Sequence, residues 1–306
     1  MMKYIIVCGP TCSGKTDLGL QLALRYNGEI INADSKQIYR QTSIGTAKPS
    51  LKSRQGIKHH LFDILDVDQD FSAFKFAELA GKLIDDISRR GKLAIVVGGT
   101  GLYLKALTEG IFRSPEPDKE YRAKLERITD KDNPRKLHDM LKAIDPQAAA
   151  KIKPRDQIRL IRALETFKTT GKPISELQEK GEYIKIGKPL WIGLAPPRKT
   201  LYERINKRVD KMIEAGFEQE VLLLEPHLDA IRKKKMLGYI DMISYLFDKN
   251  ITRTEAIDRI KQHHRNYAKR QMTWFRKVDI INWFDPSDDD FMKKLLNICD
   301  NYLKSA

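Results

Sequence analysis

The order of apolar and polar positions divides the chain into three stretches of different character. In the first, short apolar runs alternate with segments of helical spacing: residues 3–8 read as a strand, 16–26 as a helix, 29–34 as a strand, 74–89 as a helix and 93–97 as a strand. Strands separated by helices require right-handed crossovers, and these build a parallel sheet. From Pro115 to about Gly187 the sequence is charged and helical in period, with breaks at Pro134, Pro146, Pro154 and Pro173. This predicts an inserted helical domain over residues 115–187. Apolar β character returns at residues 190–194, expected as a further strand of the first sheet. Amphipathic stretches follow at 201–215, 236–247 and 253–275, then a candidate strand at 278–283 and a closing helix at 288–303. The expected core is therefore split, with residues 1–114 as its first part and 188–306 as the remainder.

Composition narrows the classes. With 306 residues at 41% hydrophobic, the chain buries a sizeable core, which excludes wholesale disorder. No apolar run is long enough to cross a bilayer, and the run at residues 4–8 is too short for a signal peptide. No membrane partner and a cytoplasmic location are expected. Nothing in the pattern demands more than a monomer. The three cysteines, Cys8, Cys12 and Cys299, have no C-x-x-C spacing, so neither a disulfide framework nor a zinc knuckle is indicated. Charge adds more. Against 41 acids stand 56 Lys and Arg, a net charge of +15, which points to a polyanionic partner.

Residues 9–16, Gly-Pro-Thr-Cys-Ser-Gly-Lys-Thr, satisfy G-x-x-x-x-G-K-[ST] directly after a predicted strand and before a helix. Gly9 and Gly14 permit a tight turn, and Pro10, Thr11, Cys12 and Ser13 complete a loop whose N–H groups aim inward. Lys15 brings an ammonium to the phosphate oxygens and Thr16 offers a hydroxyl to Mg²⁺. A P-loop NTPase-like parallel sheet flanked by helices is the expected fold. An ATPase or kinase would end a later strand in a metal-binding aspartate. Here the strand at 93–97 runs instead into Gly98-Gly99-Thr100-Gly101, and the acid stands at Asp34, after the second strand. Beside a phosphate loop, Asp34 is placed to take a proton from an acceptor nucleophile. A loop or helix-capping aspartate remains the alternative.

Residues 251–276 hold seven Lys or Arg and two acids. Lys261, Arg265 and Lys269 recur every fourth residue on one helix ridge, opposite an apolar stripe of Ile257, Ile260, Ala268, Met272 and Phe275. The ridge is expected to meet RNA phosphates. Tyr267 and Trp274 either pack into the core or stack on an extruded base. Adjacent His59 and His60 share no helix face and have no acid or cysteine cluster beside them, which favours a hydrogen-bonding role over a metal site.

Several blocks together resemble the tRNA dimethylallyltransferase family, also called tRNA isopentenyltransferases. The loop at 9–16 differs from the family's G-P-T-A-S-G-K-T only at Cys12. Asp34-Ser35-Lys36-Gln37-Ile38-Tyr39 matches D-S-x-Q-x-Y, and Ile44–Pro49 matches I-G-T-A-K-P. His59-His60-Leu61 matches H-H-L, and residues 98–103 match G-G-T-G-L-Y. Arg159 with Arg162–Glu165 resembles R-x-x-R-A-L-E, while Leu201–Ile205 with Arg208–Asp210 resembles L-Y-x-R-I-x-x-R-V-D. Residues 267–276 match Y-A-K-R-Q-x-T-W-F-R, so the resemblance spans nearly the whole chain.

The resemblance implies transfer of a dimethylallyl group from its diphosphate to N6 of the adenosine 3′ of the anticodon. Lys15, Thr16 through Mg²⁺, and Arg208 would neutralise the departing pyrophosphate. Asp34 would be the general base, and Thr100 would help position the diphosphate and the amine. The tRNA anticodon stem-loop would contact Asp34, Ser35, Lys36, Gln37, Thr100, Arg122, Gln157, Arg159, Arg162, Lys233, Lys234, Lys235, His264, Arg265, Lys269, Arg270 and Gln271. The inserted helical domain would belong to that RNA surface. Departures from the family pattern are Cys12, where Ala is usual, Arg155 before Asp156, the lysines at 233–235, and His264 in place of Thr. Two other enzymes share the phosphate loop: an adenylate isopentenyltransferase acting on free AMP or ATP, and a small-molecule kinase. The basic helix and the insertion argue against both. A non-catalytic RNA-binding module would leave Asp34 and the loop without a role.

Overall fold

The most apolar five-residue runs become the middle of one sheet. The strands are β1 (Tyr4–Cys8), β2 (Gly28–Asn32), β3 (His59–His60), β4 (Leu93–Val97), β5 (Leu190–Leu194) and β6 (Asn282–Phe284). Their order is β3-β2-β4-β1-β5-β6, and every neighbouring pair is parallel. β1, β2 and β5 are buried at every position, as strands covered on both faces must be. The computed structural model describes residues 2–112, 118–128, 135–180 and 186–305. The helices of this first part are α1 (Lys15–Arg25), α2 (Ala73–Arg89) and α3 (Gly101–Glu109). α2 is capped by Ser72, whose side chain accepts from the Lys75 N–H. No helix is expected after the strand at 93–97, yet α3 begins at Gly101 because the Thr100 carbonyl accepts from the N–H groups of Tyr103 and Leu104.

Two compact units form, Met1–Thr108 with Lys185–Ala306, and Glu109–Ile184. The expected boundary at Pro115 and the break at Pro134 lie outside the described residues. The second unit holds α4 (Lys119–Ile128), α5 (Lys136–Ile144), α6 (Pro146–Lys151), α7 (Gln157–Thr170) and α8 (Ile174–Lys180) around Leu125, Leu137, Leu141, Leu160 and Leu164. Its turn chemistry follows the sequence. Pro146 opens α6 behind Asp145, whose side chain accepts from the Ala148 N–H, and α7 stops at Gly171, which is left-handed at φ 68°.

The remaining helices belong to the first unit: α9 (Arg198–Glu214), α10 (Phe217–Leu223), α11 (Leu228–Lys233), α12 (Tyr239–Leu246), α13 (Arg253–Phe275) and α14 (Phe291–Lys304). α13 begins with a capping box between Thr252 and Glu255. Under the sheet, Ile5, Val7, Leu22, Ile95 and Ile192 pack with Leu295 and Cys299 of α14. A second core of Ile38, Val209, Phe217, Val221, Tyr239, Met242 and Ile260 joins α9, α10, α12 and α13 to the loop after β2. The strand expected at 278–283 is confined to 282–284, because the Val278 N–H closes a turn onto Phe275 at the end of α13 and the Ile281 N–H closes the next turn onto Val278.

Candidate active site

In a parallel sheet the carboxyl ends of the strands share one edge, and the chain's chemistry collects there. The loop at 9–16 leaves β1, the central strand, through Gly9 at φ 135°, where a Cβ would lie 2.5 Å from the Leu194 carbonyl oxygen. Cys12 at φ 62° and Gly14 at φ 96° complete the turn into α1, whose start has no side-chain cap. Uncapped first-turn N–H groups and the helix dipole make this end an anion seat. Lys15 Nζ folds back onto the Pro10 carbonyl at 2.5 Å. Burial lowers its pKa to about 8, with Cys12 and Asp34 pulling upward and Arg208 adding to the fall.

Arg208, on α9, crosses the same loop. One Nη donates to Thr11 Oγ1 at 2.8 Å and lies 3.7 Å from Cys12 Sγ, and the other donates to the Thr46 carbonyl at 3.0 Å. Arg208 Nε and Ser13 Oγ are buried with no hydrogen-bond partner among the described residues. Buried donors left open beside an anion seat fit a phosphate group that completes them.

Asp34 stands two residues beyond β2. Its N–H donates to Asn32 Oδ1 at 3.0 Å, and its Oδ1 accepts from the Lys36 N–H at 2.8 Å. The loop role open in the sequence is thus present, but that turn engages Oδ1 and not Oδ2. Thr100 Oγ1 accepts from the Ser35 N–H at 3.0 Å, which ties the loop after β4 to the loop after β2. Tyr267 reaches this junction from α13. Its hydroxyl engages Gln271 and Thr100, and burial followed by the charge of Asp34 holds it protonated, well above the usual phenol range. Lys36 is half-buried, with Nζ on the Lys234 carbonyl at 3.2 Å. Burial lowers its pKa while Asp34 raises it. Gln37 Nε2 donates to the Thr46 carbonyl at 3.0 Å.

The residues expected to touch RNA divide. On α13, Lys269 and Arg270 are exposed and line a groove of about 470 Å³ with Asn266, Thr273, Trp274 and Lys277. Arg265 donates to Asn206 Oδ1 at 2.6 Å. Lys233 and Lys235 are exposed, whereas Lys234 pairs with Asp70 at 3.0 Å and sits over the Tyr39 ring. Gln157 and Arg159 are exposed on α7, and Arg122 grips Glu165 of α7 through Nε at 2.8 Å and Nη2 at 2.5 Å. Arg162 lies beside the same buried carboxylate, 3.7 Å away.

Two of the expected RNA contacts are buried. His264 is 4% exposed, its Nδ1 lies 2.9 Å from the Ile260 carbonyl, and burial lowers its pKa to about 4. Gln271 is also buried, and both ends of its amide are used. Its Oε1 accepts from the Thr11 N–H at 2.8 Å and its Nε2 donates to the Gly99 carbonyl at 2.9 Å, so it braces the anion loop against the loop after β4. The basic ridge is also less free than its composition implied, since Lys261 pairs with Asp210 at 2.6 Å.

Among the described residues no group of three or more His, Cys, Asp or Glu is placed to hold a metal. Thr16 is exposed on the first turn of α1. A single hydroxyl there could serve Mg²⁺ only as one oxygen of the octahedral set that the ion takes.

A parallel α/β sheet with a glycine-rich loop after β1, and a carboxylate just beyond β2 at the same sheet edge, suits an enzyme that handles a phosphorylated substrate. The chain belongs to the IPP transferase family, whose sequence model matches residues 37–278. It is 45% identical over 297 residues to the tRNA dimethylallyltransferase of Carboxydothermus hydrogenoformans, covering 95% of this chain and 94% of that one. To the enzyme of the same name from Anoxybacillus flavithermus it is 42% identical over 304 residues, covering 99% and 96%. Among solved structures it resembles the tRNA isopentenylpyrophosphate transferase of Bacillus halodurans, with a TM-score of 0.72, 40% identity and coverage of 99% and 97%. A eukaryotic dimethylallyltransferase acting on tRNA aligns with a TM-score of 0.79 and 30% identity, covering 99% of this chain and 80% of that one.

Proposed function

We propose that the chain transfers the dimethylallyl group of dimethylallyl diphosphate to N6 of the adenosine 3′ of the anticodon in tRNA, giving N6-(dimethylallyl)adenosine and diphosphate. The observation that carries this reading is the convergence of Lys15 and Arg208 on one anion loop, with the Asp34 carboxylate close enough to raise the Lys15 pKa. In the reaction the allylic C1–O bond breaks and its electron pair leaves on the diphosphate. The N6–C1 bond forms, and the N6 proton passes to Asp34.

Departure is easy for an allylic diphosphate, so the protein's task is to hold the developing charge and aim the nucleophile. Lys15, Arg208 and the N–H groups at the start of α1 hold the charge. Thr100, fixed by the Ser35 N–H, orients the amine toward Asp34. Thr16 would hold Mg²⁺ against the diphosphate oxygens, and that ion would supply further charge neutralisation.

The exposed groove around Lys269 and Arg270 supports an RNA acceptor over a free nucleotide, because it gives cationic side chains no task in binding AMP. No helix among the described residues is long and apolar enough to cross a membrane. A cytoplasmic monomer is part of the same proposal.

The test supplies Mg²⁺ and labelled dimethylallyl diphosphate with either an anticodon stem-loop carrying a run of adenosines or free AMP, and identifies the nucleosides after digestion. Prenylated adenosine from the stem-loop alone is the expected result. Product from AMP alone moves the assignment to adenylate prenylation, and no product from either returns it to phosphoryl transfer from ATP.

A further inference from the structure

Glu220, on α10, lies outside the motifs that line the anion loop, yet its carboxylate gathers four hydrogen bonds. Oε2 accepts from the N–H groups of Ser43 at 2.8 Å and Ile44 at 2.7 Å, and Oε1 accepts from the Gly45 N–H at 2.9 Å and the Tyr239 hydroxyl at 2.6 Å. Three successive N–H groups converging on one carboxylate fix the loop that carries them. The approach is close as well as polar. A Cβ on Gly45 would lie 2.3 Å from the Phe217 ring and 2.5 Å from the Tyr239 ring.

The next residue, Thr46, presents its carbonyl to Arg208 Nη2 and to Gln37 Nε2, each at 3.0 Å, while its hydroxyl donates to the Thr42 carbonyl at 2.6 Å. Arg208 is thus held at two points, the Thr46 carbonyl and Thr11 of the anion loop. A guanidinium is a rigid planar fork, so fixing two of its nitrogens sets the direction of the third, Nε, which is buried without a partner among the described residues.

We propose that Glu220 is a positioning residue for the transfer reaction: through the loop at 43–46 and the Thr46 carbonyl it aims the Arg208 guanidinium at the diphosphate. The proposal rests on the reading that Arg208 binds the diphosphate. Tyr239 serves as the fixed donor behind Glu220, being fully buried between Phe217 and the loop.

Glu220→Gln keeps the size of the side chain but turns an amide N–H toward backbone N–H donors. The measurement is steady-state kinetics of the full-length chain with dimethylallyl diphosphate and a stem-loop, in Glu220→Gln, Arg208→Ala and the double variant. Losing one charge-assisted contact corresponds to about a tenfold rise in the KM for dimethylallyl diphosphate. The stem-loop KM is expected to stay unchanged, and the double variant to be no worse than Arg208→Ala alone. Equal rises in both KM values, an additive double variant or unchanged kinetics would overturn the proposal. An Arg208→Ala enzyme with an unaltered diphosphate KM would remove the underlying reading of Arg208, and this proposal with it. Should Glu220→Gln not fold, Tyr239→Phe removes only the hydroxyl, which donates to Glu220 and also engages Thr42 and the Gly45 N–H, and leaves the carboxylate in place. About a threefold rise confined to the diphosphate KM supports the link, whereas a lowered melting temperature with unchanged KM values refutes it.

Discussion

The anion loop and the outer face of α13 are both cationic, but they are built in opposite ways. In the loop every cation is fixed by the protein: Lys15 by the Pro10 carbonyl, Arg208 by Thr11 and Thr46, and the loop itself by Gln271. On α13, Lys269 and Arg270 stand exposed beside an open groove. The difference matches the two kinds of anion. A leaving diphosphate concentrates charge at one point and needs donors already in place. A nucleic-acid backbone spreads charge over many phosphates, so adaptable side chains serve it and the binding is sensitive to salt.

The sharpest way to separate the two regions is to disable the chemistry and ask whether RNA still binds. Asp34→Ala is expected to lower single-turnover prenyl transfer by about 10²- to 10⁴-fold, with stem-loop affinity in a filter-binding assay nearly unchanged. Turnover at the wild-type level would remove Asp34 as the base.

A smaller effect should appear in the pH profile. The Lys15 pKa is lowered to about 8, so the free loop carries its ammonium below that pH and loses it above. A bound diphosphate favours the charged form. Affinity is therefore full below pH 8 and should fall by up to about tenfold per pH unit above it. The KM for dimethylallyl diphosphate between pH 7 and 9.5 tests this, and Lys15→Ala should flatten the profile. A wild-type profile that is already flat would mean that Lys15 does not bind the anion.

The smallest effect belongs to α13. Lys269→Ala and Arg270→Ala should each reduce the log–log salt slope of stem-loop binding by about 0.7 to 0.9. Lys261→Ala should change it less, because Lys261 is already neutralised by Asp210. Equal changes at all three sites would break the contrast between paired and open cations.

Where local signals were strong, the sequence was read to the residue. The apolar runs at Leu93–Val97 and Leu190–Leu194 are strands over those limits, and α13 spans Arg253–Phe275 behind its capping box. β3 escaped because two histidines carry no β pattern; His60 stands on the sheet edge against the buried Glu29, at 2.8 Å. α3 escaped because glycines open it, and their purpose is visible only in three dimensions. A Cβ on Gly101 would lie 2.3 Å from the Trp274 indole.

The loop motif and Asp34 were legible as chemistry because their spacing is local. Glu220 was not, since the N–H groups that it accepts from lie about 175 residues away in sequence. The burial of His264 is illegible for the same reason. Its neighbours on α13 are basic, and only the packing of α12 and α13 shows that the ring faces inward.

Gln271 also has a consequence for the order in which the molecule is made. The anion loop leaves the ribosome well before its brace, since the amide that ties Thr11 to Gly99 arrives 260 residues later. A nascent chain halted before α13 carries the complete motif without its keystone, and the Thr11 N–H and the Gly99 carbonyl then lack their Gln271 partner. The brace between the two loops is thereby deferred until synthesis has passed most of α13.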